Sequence, residues 1–556
     1  MKWLLPFVVF SILIMPSLAF QVVEFCPDTY LTGDTDEYLI LEGAGGLEGL
    51  TISDGEGGFR FPTDAQSTGV VTVAKEGRAF ETVYGKPPDF EILDTSPAIE
   101  NVIRGGNFLM GNSGDEILVY LNGDLIQRIT WPGDVKNREG QVHFLEGETW
   151  DPRPLFIGQS RFPPLTVDNV SLMAFVSPDG SYQAFRDIIG GAQETILVNV
   201  YEFTSPSLAE ILEKAQRNGA QVTVLLEGGP VGGIPAEEYC VAERLRGFGI
   251  PLFQMRTEGE FHAKYRYNHA KYIVVDDQEV LLTSENFNDN GFPAQNARGN
   301  RGWGVIVRST ELAAYFTRVF TWDISGGDVT PFPDGKGTCD TSSTAPYSPE
   351  SVPIWFEGAS VTVILAPDSS SQILSLLRGA EKSIDIEQAY IKNYSEGPNP
   401  FVEEAIDAAR RGVTVRVLLD SYWFNVNEPQ DNDEMVAYLQ GIAKEEGLPL
   451  DARCADLDAN NLEKIHNKGV IVDGERVLVS SINWNENSPN YNREAGLIIE
   501  HEGVGAYFLS SFNDDWDAST DTMTGQNNRA RIVLAISVII ALALLYLVIH
   551  RKYQKR

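Results

Sequence analysis

Hydrophobic and polar positions follow three patterns along this chain. From residue 20 to about 165, short runs with a two-residue period, such as DEYLILEG, GLTISDGEGGFRFP, GVVTVAKEG and DEILVYLNGDLIQRITW, are separated by Gly, Asp and Asn turns. That alternation predicts an all-β sandwich. From about 166 the pattern changes: apolar runs (ETILVNVYEF, KSIDIEQAYI) lead into helical periods (LAEILEKAQRNG, FVEEAIDAARRG) and then into further apolar strands. Strand, helix, strand succession predicts α/β halves, each a sheet flanked by helices. The third pattern is an unbroken apolar run, Ile532 to Ile549, with only Ser537 and Tyr546 as polar breaks. As a helix it would span about 27 Å, against a hydrocarbon core near 30 Å, and it predicts a single transmembrane helix.

The α/β part repeats itself. AQRNGAQVTVLLEG at 215–228 matches AARRGVTVRVLLDS at 408–421, aligning Gly219 with Gly412. A Gly, Pro, Ser and Thr rich stretch, SGGDVTPFPDGKGTCDTSSTAPYSPE, separates the copies. The expected organisation is a signal peptide at 1–19, a β domain at 20–165, one half at 166–325, a linker at 326–352 and a second half at 353–520. The transmembrane helix at 532–549 and a basic tail at 550–556 follow. The start fits a secretory leader in its Lys2, its apolar core and its Ser17-Leu18-Ala19 cleavage site, an uncleaved anchor being the alternative. Arg551, Lys552, Lys555 and Arg556 after the apolar run predict a single pass through the cell membrane, with the tail cytoplasmic and the bulk of the chain outside.

The net charge of −35 repels polyanions at low salt, so a phosphate-bearing substrate must be caught by a local basic site. Cys26, Cys240, Cys339 and Cys454 form no CxxC pair, which disfavours zinc. In an exported chain they allow two disulfides, with three connectivities open. Asp34, Asp36 and Glu37 read as turn carboxylates before a Ca²⁺ site.

Two stretches carry the chemistry. NHAKYIVVDDQEVLLTSENFN (268–288) and IHNKGVIVDGERVLVSSINWN (465–485) hold His269, Lys271, Asp276, Ser284 and Asn286, and His466, Lys468, Asp473, Ser481 and Asn483, at the same spacings around an apolar, turn, apolar core. Five matched positions in two copies are not expected by chance. A third match, His262 to Lys264, lacks the Asp and is taken as incidental.

The pattern HxKxxxxD followed by SxN resembles the paired HKD motif of the phospholipase D superfamily. The β region resembles a lamin-tail-type immunoglobulin-like module in GDTDEYLILEG, LTISDGEGGFRFP and SGDEILVYLNGDLIQRITW. The resemblance implies phosphodiester cleavage or exchange by a pseudo-twofold pair of α/β/α halves. It needs no cofactor or metal, and is active as a monomer because one chain carries both motifs. One histidine attacks phosphorus while the other protonates the leaving oxygen. Lys271, Lys468, Asn286 and Asn483 surround the phosphoryl oxygens, each donor contributing about 3 kcal/mol. Ser284 and Ser481 bind phosphate or shape the loop, and Asp276 and Asp473 support the site. By the same resemblance His269 is the nucleophile, and His466, oriented by Glu494, is the acid and base. The first half has Gly302 in NRGWG where the second has Glu494 in NREAG. The substrate expected first is a phospholipid headgroup at an outward-facing membrane site. The alternatives are an extracellular nuclease, a cardiolipin synthase-like transferase, and an inactive adhesion or scaffold protein.

Overall fold

The computed structural model describes residues 20–519, apart from 137, 152, 258–261, 295, 340–344 and 428. Two compact units divide between Gly158 and Gln159, with His262 falling to the first.

In the first unit the alternating runs form two sheets, one of eight strands and one of five. Leu39, Leu41, Val71 and Val73 of the larger sheet and Ile52, Ile117 and Val119 of the smaller share one core, so the two sheets pack as a sandwich. Val70, one residue out of phase, is exposed. The unit is mostly rather than wholly β: Gly77–Tyr84 is a helix, buried through Phe80 and closed by Gly85 at φ +70°.

The second unit is built on a run of fifteen strands. In chain order the first half supplies β1 (Thr166–Ser177), β2 (Thr195–Val200), β3 (Gln221–Glu227), β4 (Leu252–Met255), β5 (Lys271–Val275), β6 (Glu279–Thr283), β7 (Gly302–Arg308) and β8 (Val329–Pro331). The second supplies β9 (Ile354–Ala366), β10 (Ser383–Gln388), β11 (Thr414–Leu419), β12 (Leu450–Cys454), β13 (Lys468–Val472), β14 (Arg476–Ser480) and β15 (Glu494–Glu500). Their order is β8-β4-β3-β2-β5-β6-β7-β1-β9-β15-β14-β13-β10-β11-β12. Apart from the edge strand β8, the two halves mirror each other about the antiparallel β1–β9 pair.

Strand alternation divides the core. Leu172, Ala174 and Val176 of β1 enter a core shared with Val361, Val363 and Leu365 of β9 and with helices Thr310–Ile324 and Glu502–Ala518. Met173 and Phe175 face a separate core under helices Ser181–Gly191, Pro206–Arg217 and Ala236–Gly247. Every residue of β5 and β13 is buried, because both faces of these motif strands are covered.

Two expectations are corrected. The transmembrane helix is not among the described elements: among the described residues no helix is long and apolar enough to cross a membrane, and 532–549 lies outside those residues. Of the two disulfides that the four cysteines allow, one forms, between Cys240 and Cys339 (Cα–Cα 5.5 Å), while Cys26 and Cys454 are buried thiols. The bond ties part of the Gly and Pro rich stretch to helix Ala236–Gly247, and β8 pairs the same stretch to β4.

Candidate active site

The motif histidines stand just before β5 and β13, where each half's chain pairs with the other's. The His269 N–H donates to the Arg493 carbonyl at 2.8 Å and the Arg493 N–H to that of Tyr267 at 2.9 Å. Likewise the His466 N–H donates to the Arg301 carbonyl at 2.8 Å and the Arg301 N–H to that of Lys464 at 2.9 Å. Both arginines are buried and held by carboxylates from both halves. Arg493 binds Asp323 at 3.0 Å and Asp368 at 2.9 Å, and Arg301 binds Asp515 at 2.6 Å and Asp179 at 2.8 Å. Burial opposes their charge, but Asp323 and Asp515 hold both guanidinium groups firmly protonated. These two clusters fix the halves, and hence the histidines, against each other.

Glu494, fully buried at the start of β15, points at His269. Its Oε2 and Oε1 lie 2.8 and 3.0 Å from His269 Nδ1. Ser481 donates to it at 2.6 Å, Asn492 at 3.0 Å, and Ser488 also donates. Burial pushes the carboxyl up, yet His269, Lys271 and Ser481 together hold it below the usual range. Glu494 therefore serves His269, which corrects the expectation that it orients His466. An Nδ1 proton donated to this carboxylate leaves the Nε2 lone pair free. Burial pushes His269 down to about 4, with Glu494 opposing.

His466 has another neighbour: its Nδ1 lies 3.3 Å from Oε1 of Glu285. Burial, then Lys468, Lys464 and Lys271, push its pKa well below normal. Lys271 and Lys468 are fully buried. Each Nζ folds back to the carbonyl of its own motif histidine, Lys271 at 2.7 Å. Burial lowers Lys271 to about 8, and burial with repulsion from Lys271 holds Lys468 well below its usual value. The site thus gathers two lysines and two histidines whose positive charges suppress one another, an arrangement suited to an anion. Tyr201 stands edge-on to His269 at 4.9 Å.

The remaining motif residues separate into two groups. The side-chain oxygens of Asn286 and Asn483 are buried and without hydrogen-bond partners among the described residues. The serines are engaged internally: Ser284 accepts from the Trp303 N–H at 3.0 Å, and Ser481 bonds Glu494 and Ala495. Asp276 and Asp473 lie at the opposite ends of β5 and β13, about 16 Å along the strand from the lysines. Asp276 accepts the N–H groups of Gln193, Glu194 and Thr195, each at 2.8 Å, and Asp473 those of Glu381, Lys382 and Ser383. His262 stacks on Tyr30 at 4.0 Å, and Lys264 pairs with Asp328 at 2.9 Å. Among the described residues no group of three or more His, Cys, Asp or Glu is placed to hold a metal.

Glu285, Lys464, Arg301 and Arg493 escaped the sequence reading. The arginines had a signal, since both precede the Gly302/Glu494 position in NRGWG and NREAG.

A family described as "Cardiolipin synthase, PLD-like domain" matches residues 185–324 and 373–516, more than half of the chain. Cardiolipin synthase A of Yersinia pseudotuberculosis serotype O:1b (strain IP 31758) is 23% identical over 341 residues, covering 57% of this chain and 62% of that protein. The chain therefore spans less than two thirds of the length of the curated relatives it matches. Among solved structures, phosphatidylserine synthase of Haemophilus influenzae Rd KW20 aligns with a TM-score of 0.46 at 18% identity, over 62% of this chain and 88% of the other. Nuc of Salmonella typhimurium, a phospholipase D family member, aligns at 0.25 and 20% identity, over 31% of this chain and 99% of the other. Each HKD copy lies inside one of the two matched segments, and the chain belongs to the PLD-like domain family of the phospholipase D superfamily.

Proposed function

We propose that the chain is a phosphatidyl-transferring or phospholipid-hydrolysing enzyme that works through a phosphohistidine. The observation that carries this reading is the hydrogen bond from the Nδ1–H of His269 in one half to the Glu494 carboxylate of the other, which would prepare Nε2 as a nucleophile in a site formed by both motifs.

In the first step His269 Nε2 attacks phosphorus, the bond from phosphorus to the headgroup oxygen breaks, and His466 gives that oxygen a proton. In the second, an alcohol or water attacks the phosphohistidine, the P–N bond breaks, and His466 takes the incoming proton. An empty site keeps His466 neutral, so it acts as an acid only once an anionic phosphodiester offsets Lys468, Lys464 and Lys271. Lys271, Lys468 and the amides of Asn286 and Asn483 stabilise the phosphoryl oxygens.

Phospholipid is favoured over nucleic acid by the family description, by the relatives' names and by the net charge of −35, which disfavours long polyanions. A location at a cell membrane rests, in this reading, on the lipid substrate rather than on an anchor. The test is to incubate the full chain, in detergent and with EDTA, with phosphatidylglycerol vesicles and separately with single-stranded DNA. Release of glycerol with cardiolipin or phosphatidic acid is expected. DNA cleavage with the lipid left intact, or activity that needs an added divalent ion, would overturn the reading.

A further inference from the structure

We propose that Glu285 is the positioning carboxylate of His466, supplied from the turn after β6 because the corresponding place at the start of β7 is a glycine. This rests on the phosphodiesterase reading of the site. In the second half the carboxylate comes from the first residue of β15, Glu494. In the first half that place is Gly302, which the sequence alone presents as a missing group.

The geometry explains the glycine. Gly302 does not have a positive φ, so its backbone does not demand glycine. A Cβ there would stand 2.3 Å from Oε1, 2.6 Å from Cγ and 2.8 Å from Cδ of Glu285. The Glu285 side chain therefore fills the space that a side chain at 302 would enter. The converse holds in the other half, where Ile482 stands between Ser481 and Asn483 as Glu285 stands between Ser284 and Asn286, buried and apolar. One carboxylate per half is kept, with its point of attachment moved 17 positions back along the chain.

Glu285 is fully buried. Asn300 donates to its Oε2 at 3.0 Å. Its Oε1 and His466 Nδ1 have no hydrogen-bond partner among the described residues, and they lie 3.3 Å apart. A buried carboxylate oxygen left alone is costly, and so is a buried imidazole N–H. A proton on Nδ1 shared between them answers both and holds Nε2 toward the substrate. The two histidines are thus each backed by the opposite half: His269 by Glu494, His466 by Glu285.

The test uses the full chain with ¹⁵N-labelled histidine, which has six such residues to resolve, and bis(p-nitrophenyl) phosphate as the probe substrate. Wild type should show His466 protonated at Nδ1. Glu285→Ala should lose that tautomer preference and about 10²-fold in turnover of the phosphoenzyme. The double variant Glu285→Ala/Gly302→Glu should regain both, since the new side chain enters the vacated space from the β15-like position. An unchanged His466 spectrum in folded Glu285→Ala, or a folded double variant that recovers neither signal, would overturn the proposal. If wild type does not turn over the probe, the phosphodiesterase reading fails instead, and the nitrogen spectra alone decide the role of Glu285.

Discussion

His269 Nδ1 lies 2.8 Å from Oε2 of Glu494, a residue of the opposite half 225 positions away. One half alone therefore lacks the carboxylate that orients His269, the nucleophile of the proposed mechanism. Glu494→Gln should lower kcat by about 10²- to 10⁴-fold, because the amide no longer enforces the tautomer that frees Nε2. The pH profile carries a sign. Burial sets His269 at about 4, and Glu494 opposes that depression. In wild type kcat/KM should fall as pH drops through about 4, and in Glu494→Gln this limb should move to lower pH. A limb that stays in place would detach Glu494 from His269.

Lys271 and Lys468 should each cost about two to three powers of ten in kcat when changed to Ala, because their charges act on the phosphoryl group in the transition state. Burial brings Lys271 to about 8, so the free enzyme loses this charge as pH rises through that value. A bound phosphodiester anion restores the proton. The expected profile has kcat/KM falling above pH about 8 while kcat stays flat. Stopped assays across pH 6 to 10 on wild type and both variants check this, and normal turnover in Lys468→Ala would remove the second motif from catalysis.

Asp276→Ala and Asp473→Ala should behave differently. Each leaves three backbone N–H groups without their carboxylate at the far end of a motif strand. A stability loss of about 1–3 kcal/mol is expected, with kcat of the folded protein within a few-fold of wild type. Chemical denaturation alongside active-site titration separates the two effects.

Much of this was legible in the sequence. The apolar, turn, apolar pattern around Asp276 and Asp473 predicted the hairpins β5–β6 and β13–β14, and both aspartates take a positive φ in those turns. The repeat anchored on Gly219 and Gly412 found two places where φ is +112° and +97° after a helix, conformations that favour glycine. What was not legible is pairing across the halves. The family resemblance assigns Glu494 to His466, 28 positions upstream, whereas the Arg493 backbone pairs with Tyr267 and His269 and carries Glu494 to the other histidine. Gly302 looked like a lost carboxylate because the group that replaces it enters from Glu285. Helix Gly77–Tyr84 is amphipathic but only eight residues long, contains the β-branched Thr82 and Val83, and follows directly on the strand Gln66–Glu76, so its period is lost within a region that reads as all-β.

The most direct measurement traps the intermediate. With a p-nitrophenyl phosphodiester the leaving group needs no acid, so the first step survives loss of His466 while the second still needs its base. His466→Ala should give a stoichiometric burst of p-nitrophenolate and an acid-labile phosphoenzyme, mapped by mass spectrometry to His269. His269→Ala should give neither. An adduct on His466 that accumulates in His269→Ala would contradict the account, and would make Glu494 the partner of the acid and base rather than of the nucleophile.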